Sequence, residues 1–312
     1  MAIKTRITEM LGIEKPIIQA AMGWIARSQL SSAFSNAGGM GIIETSSGDL
    51  EAVRREILKM RELTDKPFGV NVAQAFVRDP EIVQFVIDQG VKFVTTSAGN
   101  PKQYTAQLKE AGLTVFHVVP SLKAALGAID AGVDGLIVEG GEGGGFKNPK
   151  DVASMVLIPQ VCEAVDVPVV AAGGIMDGAS MAAAFALGAE GVLMGTRILS
   201  SAESPVHQNW KDAIINADST DTVFLNRHGG GPALRALRTE RTSRIELEGV
   251  DNIFGEFAGT QDVYFKGDLE AGIALTGQVA GRIKSVRPVA EILNETMAQF
   301  EQTVAHLNHM RV

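Results

Sequence analysis

The chain has 312 residues, 46% of them hydrophobic and 21% charged, a balance that excludes a disordered chain and can supply one large apolar core. Its formal net charge is −8 and no basic stretch offsets this negative field, which argues against nucleic acid as a partner. The single cysteine, Cys162, excludes a disulfide framework and a cysteine-based zinc cluster, and its helical context predicts a buried structural thiol.

The N-terminal residues lack the apolar region of a secretion signal, and no stretch reaches the roughly 20 apolar residues of a membrane span. The most apolar long segment, 181–195, is divided by Gly188, Glu190 and Gly191 into a helix and a strand. We therefore expect a soluble, cytoplasmic protein without a membrane partner.

Short runs of branched residues alternate with amphipathic helical patterns over the first two thirds of the chain, as in repeated βα units. The predicted strands span 16–22, 40–44, 67–72, 91–95, 114–119, 135–138, 167–172 and 191–194. The predicted helices span 27–36, 50–63, 81–89, 101–111, 122–131, 150–165 and 178–187. Eight strands with short connections predict an α/β fold of the (β/α)₈ TIM-barrel type.

An open doubly wound sheet is the structural alternative. It lacks support, because Gln19-Ala20-Ala21-Met22-Gly23 follows the first strand where a GxGxxG motif would stand.

After a predicted helix over 204–217, the βα alternation stops. The sequence divides into a barrel over 1–217, a cap or substrate segment over 218–266 and C-terminal helices over 267–312. Helical patterns over 269–284 and 289–306 predict two helices that pack back on the barrel.

The segment 133–149 combines a strand with a glycine-rich loop. An apolar run ends in the carboxylate of Glu139, and five glycines follow within six residues, ending at Gly145. Such a loop lets the backbone approach a flat or phosphorylated ligand closely, so this is the first place to expect chemistry. The alternative is a flexible surface lid.

Two further glycine turns follow the seventh and eighth predicted strands, the usual phosphate-binding position of this barrel. Gly173, Gly174 and Gly195 offer backbone N–H groups, Thr196 adds a hydroxyl, and a helix begins near Asp177. These residues predict a monophosphate site, although ordinary βα turns are the alternative.

The other strand ends predict a ring of side chains around the barrel mouth. They are Ala21 and Met22, Asn71, Ser97 to Asn100, His117 and Glu139. This set makes a poor metal site, because clustered histidine and carboxylate ligands are missing, and it suits a planar cofactor.

The sequence resembles the nitronate monooxygenase (2-nitropropane dioxygenase) family, kin to the FMN-dependent enoyl-ACP reductases II and the NADH:quinone reductases. The resemblance covers nearly the whole chain and is carried by Gln19-Ala20-Ala21-Met22, Gly69-Val70-Asn71, Glu139-Gly140-Gly141-Glu142-Gly143-Gly144-Gly145, Ala172-Gly173-Gly174-Ile175-Met176-Asp177-Gly178, Met194-Gly195-Thr196-Arg197 and Gly277-Gln278-Val279-Ala280-Gly281. Inosine monophosphate dehydrogenases share the late glycine turns, but they need a loop cysteine, and Cys162 has a helical context.

The resemblance implies non-covalent FMN as the cofactor. Its phosphate is expected at Gly173, Gly174, Gly195 and Thr196, and its ring near Ala21, Met22, Asn71 and Gln278, with Glu139 and Gly145 completing the cofactor site.

One position departs from the family pattern. Relatives typically have Glu-x-Gly-Gly-His where this chain has Glu142-Gly143-Gly144-Gly145-Phe146, and a phenyl ring cannot accept a proton. Phe146 makes the pocket more apolar, and His117 is the candidate replacement for the missing base, although a structural histidine is about as consistent with the pattern.

Arg235, Arg238 and Arg241 recur every third residue, which on a helix would place them along one side. A solvated basic face is the default interpretation, and the alternative is a site for the phosphates of coenzyme A or a nicotinamide dinucleotide.

Together these features predict an FMN-dependent oxidoreductase that transfers a hydride between flavin N5 and a Cα–Cβ bond of an apolar acyl thioester, CoA-linked, or a similar activated carbonyl compound. The alternatives are a nitronate monooxygenase that uses O₂, an NAD(P)H:quinone reductase, and a barrel that binds FMN without catalysis. NADH or NADPH is a possible electron partner in these predictions, and a homodimer is the expected assembly.

Overall fold

The computed structural model describes residues 3–310, and eight parallel strands form a barrel within them. The barrel strands in chain order are β1 (Ile17–Gln19), β2 (Gly41–Glu44), β3 (Phe68–Ala73), β4 (Phe93–Ser97), β5 (Thr114–Val119), β6 (Gly135–Glu139), β8 (Val169–Ala172) and β9 (Gly191–Met194). Three further strands, β7 (Gly145–Lys147), β10 (Thr222–Leu225) and β11 (Ala233–Leu237), form a second sheet. The barrel order is β1-β9-β8-β6-β5-β4-β3-β2. A bridge between Ile18 and Met40 joins β1 to the start of β2, which closes the ring and confirms the predicted barrel.

Helices connect the strands and continue after the last strand, within residues 3–310. They are α1 (Arg6–Leu11), α2 (Ser28–Asn36), α3 (Leu50–Leu63), α4 (Ile82–Asp88), α5 (Thr105–Glu110), α6 (Leu122–Asp130), α7 (Ser154–Cys162), α8 (Gly178–Ala186), α9 (Thr196–Leu199), α10 (Gln208–Asn216), α11 (Glu240–Glu248) and α12 (Val289–His309). Side chains cap the N-termini of several of these helices. Asp49 accepts a hydrogen bond from the backbone N–H of Ala52 at α3, and Ser121 accepts one from that of Ala124 at α6. No helix among residues 3–310 is both long enough and apolar enough to cross a membrane.

Two apolar layers hold the barrel together. Inside it, Phe93 and Phe116 meet edge to face with ring centroids 5.2 Å apart, and Ile7 and Leu11 of α1 join this interior cluster. Outside it, the strands pack against the surrounding helices in a larger cluster. Cys162 ends α7 half-buried, and burial raises the pKa of its thiol to about 11, so it stays protonated at neutral pH.

The cap is a small antiparallel sheet. β10 pairs with β11, and β11 pairs with β7, the three-residue strand that continues the glycine-rich loop. The cap sheet is therefore joined to the barrel at the carboxyl end of β6.

The C-terminal part differs from the sequence prediction. Residues 269–284 do not form the predicted helix; the segment is irregular apart from a 3-10 turn at Gln278–Arg282, and it lies against the glycine-rich loop. The last helix, α12, packs on α8, where a Cβ on Gly178 would lie 2.1 Å from the backbone nitrogen of Phe300.

Candidate functional site

A cavity of about 1220 Å³ opens at the carboxyl ends of the barrel strands, under the cap. It is larger than the roughly 300–1000 Å³ pocket of a single drug-sized ligand, so it has room for two ligands at once. Its lining includes most of the predicted site residues: Ala21, Met22, Asn71, His117, Glu139, Gly145, Phe146, Gly173, Gly174, Gly195 and Thr196. Gln278 is exposed and does not line the cavity, although Gly277 and Val279 on either side of it do.

The glycine-rich loop is held in place by hydrogen bonds. The Gly141 N–H donates to Val152 O at 2.8 Å, and Arg235 Nε donates to Gly141 O at 2.6 Å. The carboxylate of Glu142 accepts from Ser154 Oγ at 2.8 Å, and the Glu142 carbonyl accepts from Gln278 N at 2.9 Å. These bonds favour a fixed wall of the cavity over a flexible lid.

The predicted phosphate site depends on the glycine turns rather than on the helix that follows. Gly173 and Gly174 have positive φ angles of 87° and 78°, which glycine adopts without strain. The first N–H of α8, that of Gly178, already donates to Gln299 Oε1 at 3.2 Å, and Asp177 accepts from Ser180 N at 2.9 Å. The available donors therefore lie in the two turns that line the cavity.

The side-chain amide of Asn71 offers a free acceptor to a ring in the cavity. Asn71 Nδ2 donates to Thr95 Oγ1 at 2.9 Å, and among the described residues nothing donates to Asn71 Oδ1. Gln19 Oε1 is buried and likewise has no partner within residues 3–310. A planar heterocycle with a ring N–H group, such as the isoalloxazine of a flavin, fits the Asn71 acceptor, whereas burial shields Gln19 Oε1 from the cavity.

His117 lies on β5 with its side chain buried at the cavity. Its Nδ1 forms a hydrogen bond with Thr96 Oγ1 at 2.7 Å. Burial lowers the pKa of His117 from 6.5 to about 4, and a hydrogen bond to the backbone of Gly99 opposes this shift. The imidazole is therefore neutral at physiological pH.

Phe146 lies at the centre of an aromatic cluster formed with Phe76, Phe254 and Phe257, all of which line the cavity. Its ring centroid is 4.9 Å from that of Phe76, 5.5 Å from that of Phe257 and 6.3 Å from that of Phe254. The cluster combines one residue from the loop after β3 with three residues from β7 and the cap. It gives this side of the cavity an apolar wall.

Sequence reasoning missed two polar residues of the cavity. Lys147 is buried and forms an ion pair with Glu139, so it ties β7 to the end of β6. Tyr264 is buried in a π-helical turn, Asp262–Lys266, and its hydroxyl has no hydrogen-bond partner within residues 3–310. Burial raises the pKa of Tyr264, so it remains an O–H donor. Neither residue belongs to a local motif, and both reach the cavity only through tertiary packing.

The three arginines do not form one face of a helix, which corrects the prediction from their spacing. Arg235 lies on β11, Arg238 follows that strand, and Arg241 lies on α11. Arg238 pairs with Glu246 at 2.7 Å and Arg241 with Glu256 at 2.6 Å, while Arg235 holds the glycine-rich loop. Their charged groups already have partners within the cap and the loop.

Two non-glycine residues at the cavity have left-handed backbone conformations, Trp24 with φ 66° and Ala98 with φ 52°. Such strain is concentrated at functional sites in proteins.

Among residues 3–310, no group of three or more His, Cys, Asp and Glu side chains could hold a metal ion.

A family model described as nitronate monooxygenase matches residues 4–80 and 73–299. The "(3aS,4S,5R,7aS)-5-hydroxy-7a-methyl-1-oxo-octahydro-1H-indene-4-carboxyl-CoA dehydrogenase" of Mycobacterium tuberculosis is 40% identical over 249 residues, which are 79% of this chain and 69% of that protein. A probable nitronate monooxygenase of Staphylococcus saprophyticus is 34% identical over 285 residues, covering 77% of this chain and 80% of the relative. The solved structure of FabK from Thermotoga maritima superposes with a TM-score of 0.92 at 39% identity, covering 98% of this chain and 99% of that one.

Proposed function

The chain belongs to the nitronate monooxygenase family, whose members are flavin-dependent oxidoreductases, and from this premise we propose that it binds FMN and oxidises the Cα–Cβ bond of an apolar acyl-CoA. The proposal names both the cofactor and the substrate class. It is supported by a relative that is named as a dehydrogenase of a CoA-linked carbocyclic substrate.

The observation that carries the substrate class is the aromatic wall around Phe146. Where the family pattern has a histidine, this chain has a phenyl ring between the rings of Phe76 and Phe257. Such a wall binds a bulky hydrocarbon group by burying apolar surface, and it cannot exchange a proton.

The residues around the cavity suit FMN. Gly173, Gly174, Gly195 and Thr196 would hold its phosphate, while Met22 would lie against its ring. Asn71 Oδ1 would accept a hydrogen bond from a ring N–H. When bound, the flavin would accept the hydride that leaves the substrate.

His117 and Tyr264 are the proposed groups that act on the substrate. In oxidation, Cβ loses a hydride and Cα loses a proton, and the neutral imidazole of His117 would accept that proton. The O–H of Tyr264 would donate to the thioester carbonyl and make the Cα proton more acidic. At physiological pH the imidazole is in the neutral form that oxidation requires, whereas reduction would require its protonated form.

Nitronate oxidation is the second candidate, and it is favoured by the family model and by the relatives named as probable nitronate monooxygenases. A nitronate is already an anion, so its oxidation does not need the base that is missing at Phe146.

In the deciding experiment, the FMN-loaded protein is mixed anaerobically with cyclohexanecarbonyl-CoA, propionate 3-nitronate, NADH or NADPH, each in a separate run. The absorbance of the oxidised flavin is followed by stopped flow. We expect the acyl-CoA to bleach the flavin rapidly. Bleaching by the nitronate alone, with fast turnover in air, would favour the second candidate. Bleaching only by NADH or NADPH would reverse the proposed direction and would make the protein a reductase.

A further inference from the structure

We propose that Arg78 and Lys102 form a subsite at the cavity rim for the phosphates of an adenine nucleotide, namely the adenosine diphosphate arm of coenzyme A. This inference rests on the proposed function, because it assigns the nucleotide end of the same acyl-CoA. Arg78 and Lys102 are better candidates for binding these phosphates than the cap arginines Arg235, Arg238 and Arg241, because the charged groups of the cap arginines already have partners.

The fold brings these two cations to the same edge of the cavity. β3 and β4 are adjacent parallel strands in register from Gly69 with Phe93 to Ala73 with Ser97. Arg78 follows β3 and Lys102 follows β4, and both residues line the cavity. Because parallel strands end at the same edge of a sheet, the two cations lie on neighbouring loops.

Hydrogen bonds fix the two loops. Ala75 N donates to Ala98 O at 3.0 Å, which joins the loop after β3 to the loop after β4. Asn100 Oδ1 accepts from Lys102 N at 3.0 Å, which caps the 3-10 turn that carries Lys102. The backbone that presents the cations is therefore organised before any ligand binds.

The charge balance of the cavity leaves these two groups free. Four of the five carboxylates in its lining form an ion pair: Glu44 with Arg27, Glu139 with Lys147, Asp151 with Arg227, and Asp262 with Lys266. The fifth, Glu142, accepts hydrogen bonds from Ser154. Among the described residues, nothing forms a side-chain hydrogen bond or an ion pair with the guanidinium of Arg78 or the ammonium of Lys102. Two unpaired cations thus face one carboxylate without an ion pair, so the uncompensated charge of the cavity is positive, although the chain carries a net charge of −8.

Coenzyme A matches this arrangement in its chemistry. Its acyl end is apolar and would lie inside against the Phe146 cluster, whereas its phosphates are anionic and remain close to water. Arg78 and Lys102 are both exposed at the rim. A guanidinium binds phosphate oxygens in a bidentate manner, and an ammonium adds a point charge beside it.

The test measures binding of coenzyme A and of pantetheine, which lacks the nucleotide phosphates, to the FMN-loaded protein by calorimetry at fixed ionic strength. For the double variant Arg78→Ala/Lys102→Ala, we expect coenzyme A binding to weaken by about tenfold to a hundredfold, with pantetheine binding unchanged. The double variant Arg55→Ala/Lys123→Ala is the matched control. It removes the same charge from exposed residues that do not line the cavity, and it should bind coenzyme A like the parent protein.

Unchanged coenzyme A affinity in the rim variant, or an equal loss in the control, would overturn the subsite. If the rim variant impairs flavin reduction by NADH or NADPH and leaves coenzyme A binding intact, the subsite belongs to a dinucleotide and the assignment is wrong. These results are separable from the proposed function. If the rim variant turns over acyl-CoA and binds coenzyme A with the affinity of the parent protein, only the subsite is overturned. If the parent protein binds coenzyme A but acyl-CoA does not bleach its flavin, only the proposed function is overturned.

Discussion

Phe146 is the residue whose identity bears most directly on the chemistry of the cavity. The Phe146→His substitution would place an imidazole inside the aromatic cluster, where it could take a proton from a neutral nitroalkane. We expect oxidation of nitroethane to rise by about a hundredfold, since general base catalysis contributes at least this much in enzymes. Rates with nitroethane and with its nitronate are measured side by side. Phe146→Leu is the control that loses the ring without gaining a base, and equal rates in the two variants would contradict the expectation.

His117 predicts a dependence of stability on pH. Its pKa falls from 6.5 in the unfolded chain to about 4 in the folded protein, so protonation favours unfolding. The stabilisation is complete above pH 6.5 and is lost as the pH falls from 6.5 towards 4. Between pH 7 and pH 5 this one group accounts for about 2 kcal/mol of the free energy of unfolding.

The measurement is urea unfolding of the parent protein and of His117→Asn at both pH values. The Asn variant keeps a polar group beside Thr96 and removes the titration. We expect the parent to lose about 2 kcal/mol more than the variant does. Parallel losses would mean that His117 does not titrate as its burial indicates.

At the scale of elements, the glycine-rich loop fits against the segment that was predicted to be a helix. A Cβ on Gly144 would lie 2.7 Å from the backbone nitrogen of Gly277 and 2.8 Å from the backbone carbon of Thr276. Only glycine permits this approach of two backbones, which together form one wall of the cavity.

We therefore expect Gly144→Ala to displace the loop, to lower the free energy of unfolding by about 1–3 kcal/mol and to reduce FMN binding. Flavin content after purification and FMN titration of the apoprotein measure the effect. Gly230→Ala, in an exposed turn where a Cβ meets no atom within 4 Å, is the control. Normal FMN affinity of the Gly144 variant would show that the loop can move without cost to the site.

The sequence predicted those elements that depend on local pattern. Alternating branched runs and capped helices located the barrel strands, and the strand ends then placed His117, Asn71 and the glycine turns at one mouth. Pairings between distant segments were missed. β7 has three residues, one of them glycine, and it is a strand only because β11 pairs with it about 90 residues later.

Contacts between distant segments also explain why the predicted helix over 269–284 and the predicted arginine face were wrong. Residues 269–284 have a helical pattern, yet their backbone hydrogen bonds go partly to the glycine-rich loop, as when Gln278 N donates to Glu142 O. Arg235 is spaced like a helical residue but is held by Gly141 O. Spacing alone does not identify the partner of a charged group.

At the scale of the whole molecule, the cap and the barrel share contacts that a simple division at residue 218 would cut. β7 belongs to the barrel loop and to the cap sheet, and Phe146 packs with Phe76 on one side and with Phe257 on the other. Lys147 adds an ion pair from the cap sheet to the end of β6. We infer that the cap cannot unfold while the barrel keeps its native mouth.

This predicts one cooperative unfolding transition rather than two. Trp210 of α10 packs on Tyr264 of the cap segment, with ring centroids 4.6 Å apart, and both belong to the outer cluster of the barrel, whereas Trp24 lies at the barrel mouth. In apoprotein with Trp24→Phe, fluorescence therefore reports on the contact between α10 and the cap segment, and far-ultraviolet circular dichroism reports on all helices. We expect the two urea transitions to coincide in midpoint and slope, because the loss of β7 exposes the apolar face of both units. A fluorescence transition at clearly lower urea would show that the cap segment separates from α10 before the barrel helices unfold. The chain would then consist of two units of separate stability joined at the glycine-rich loop.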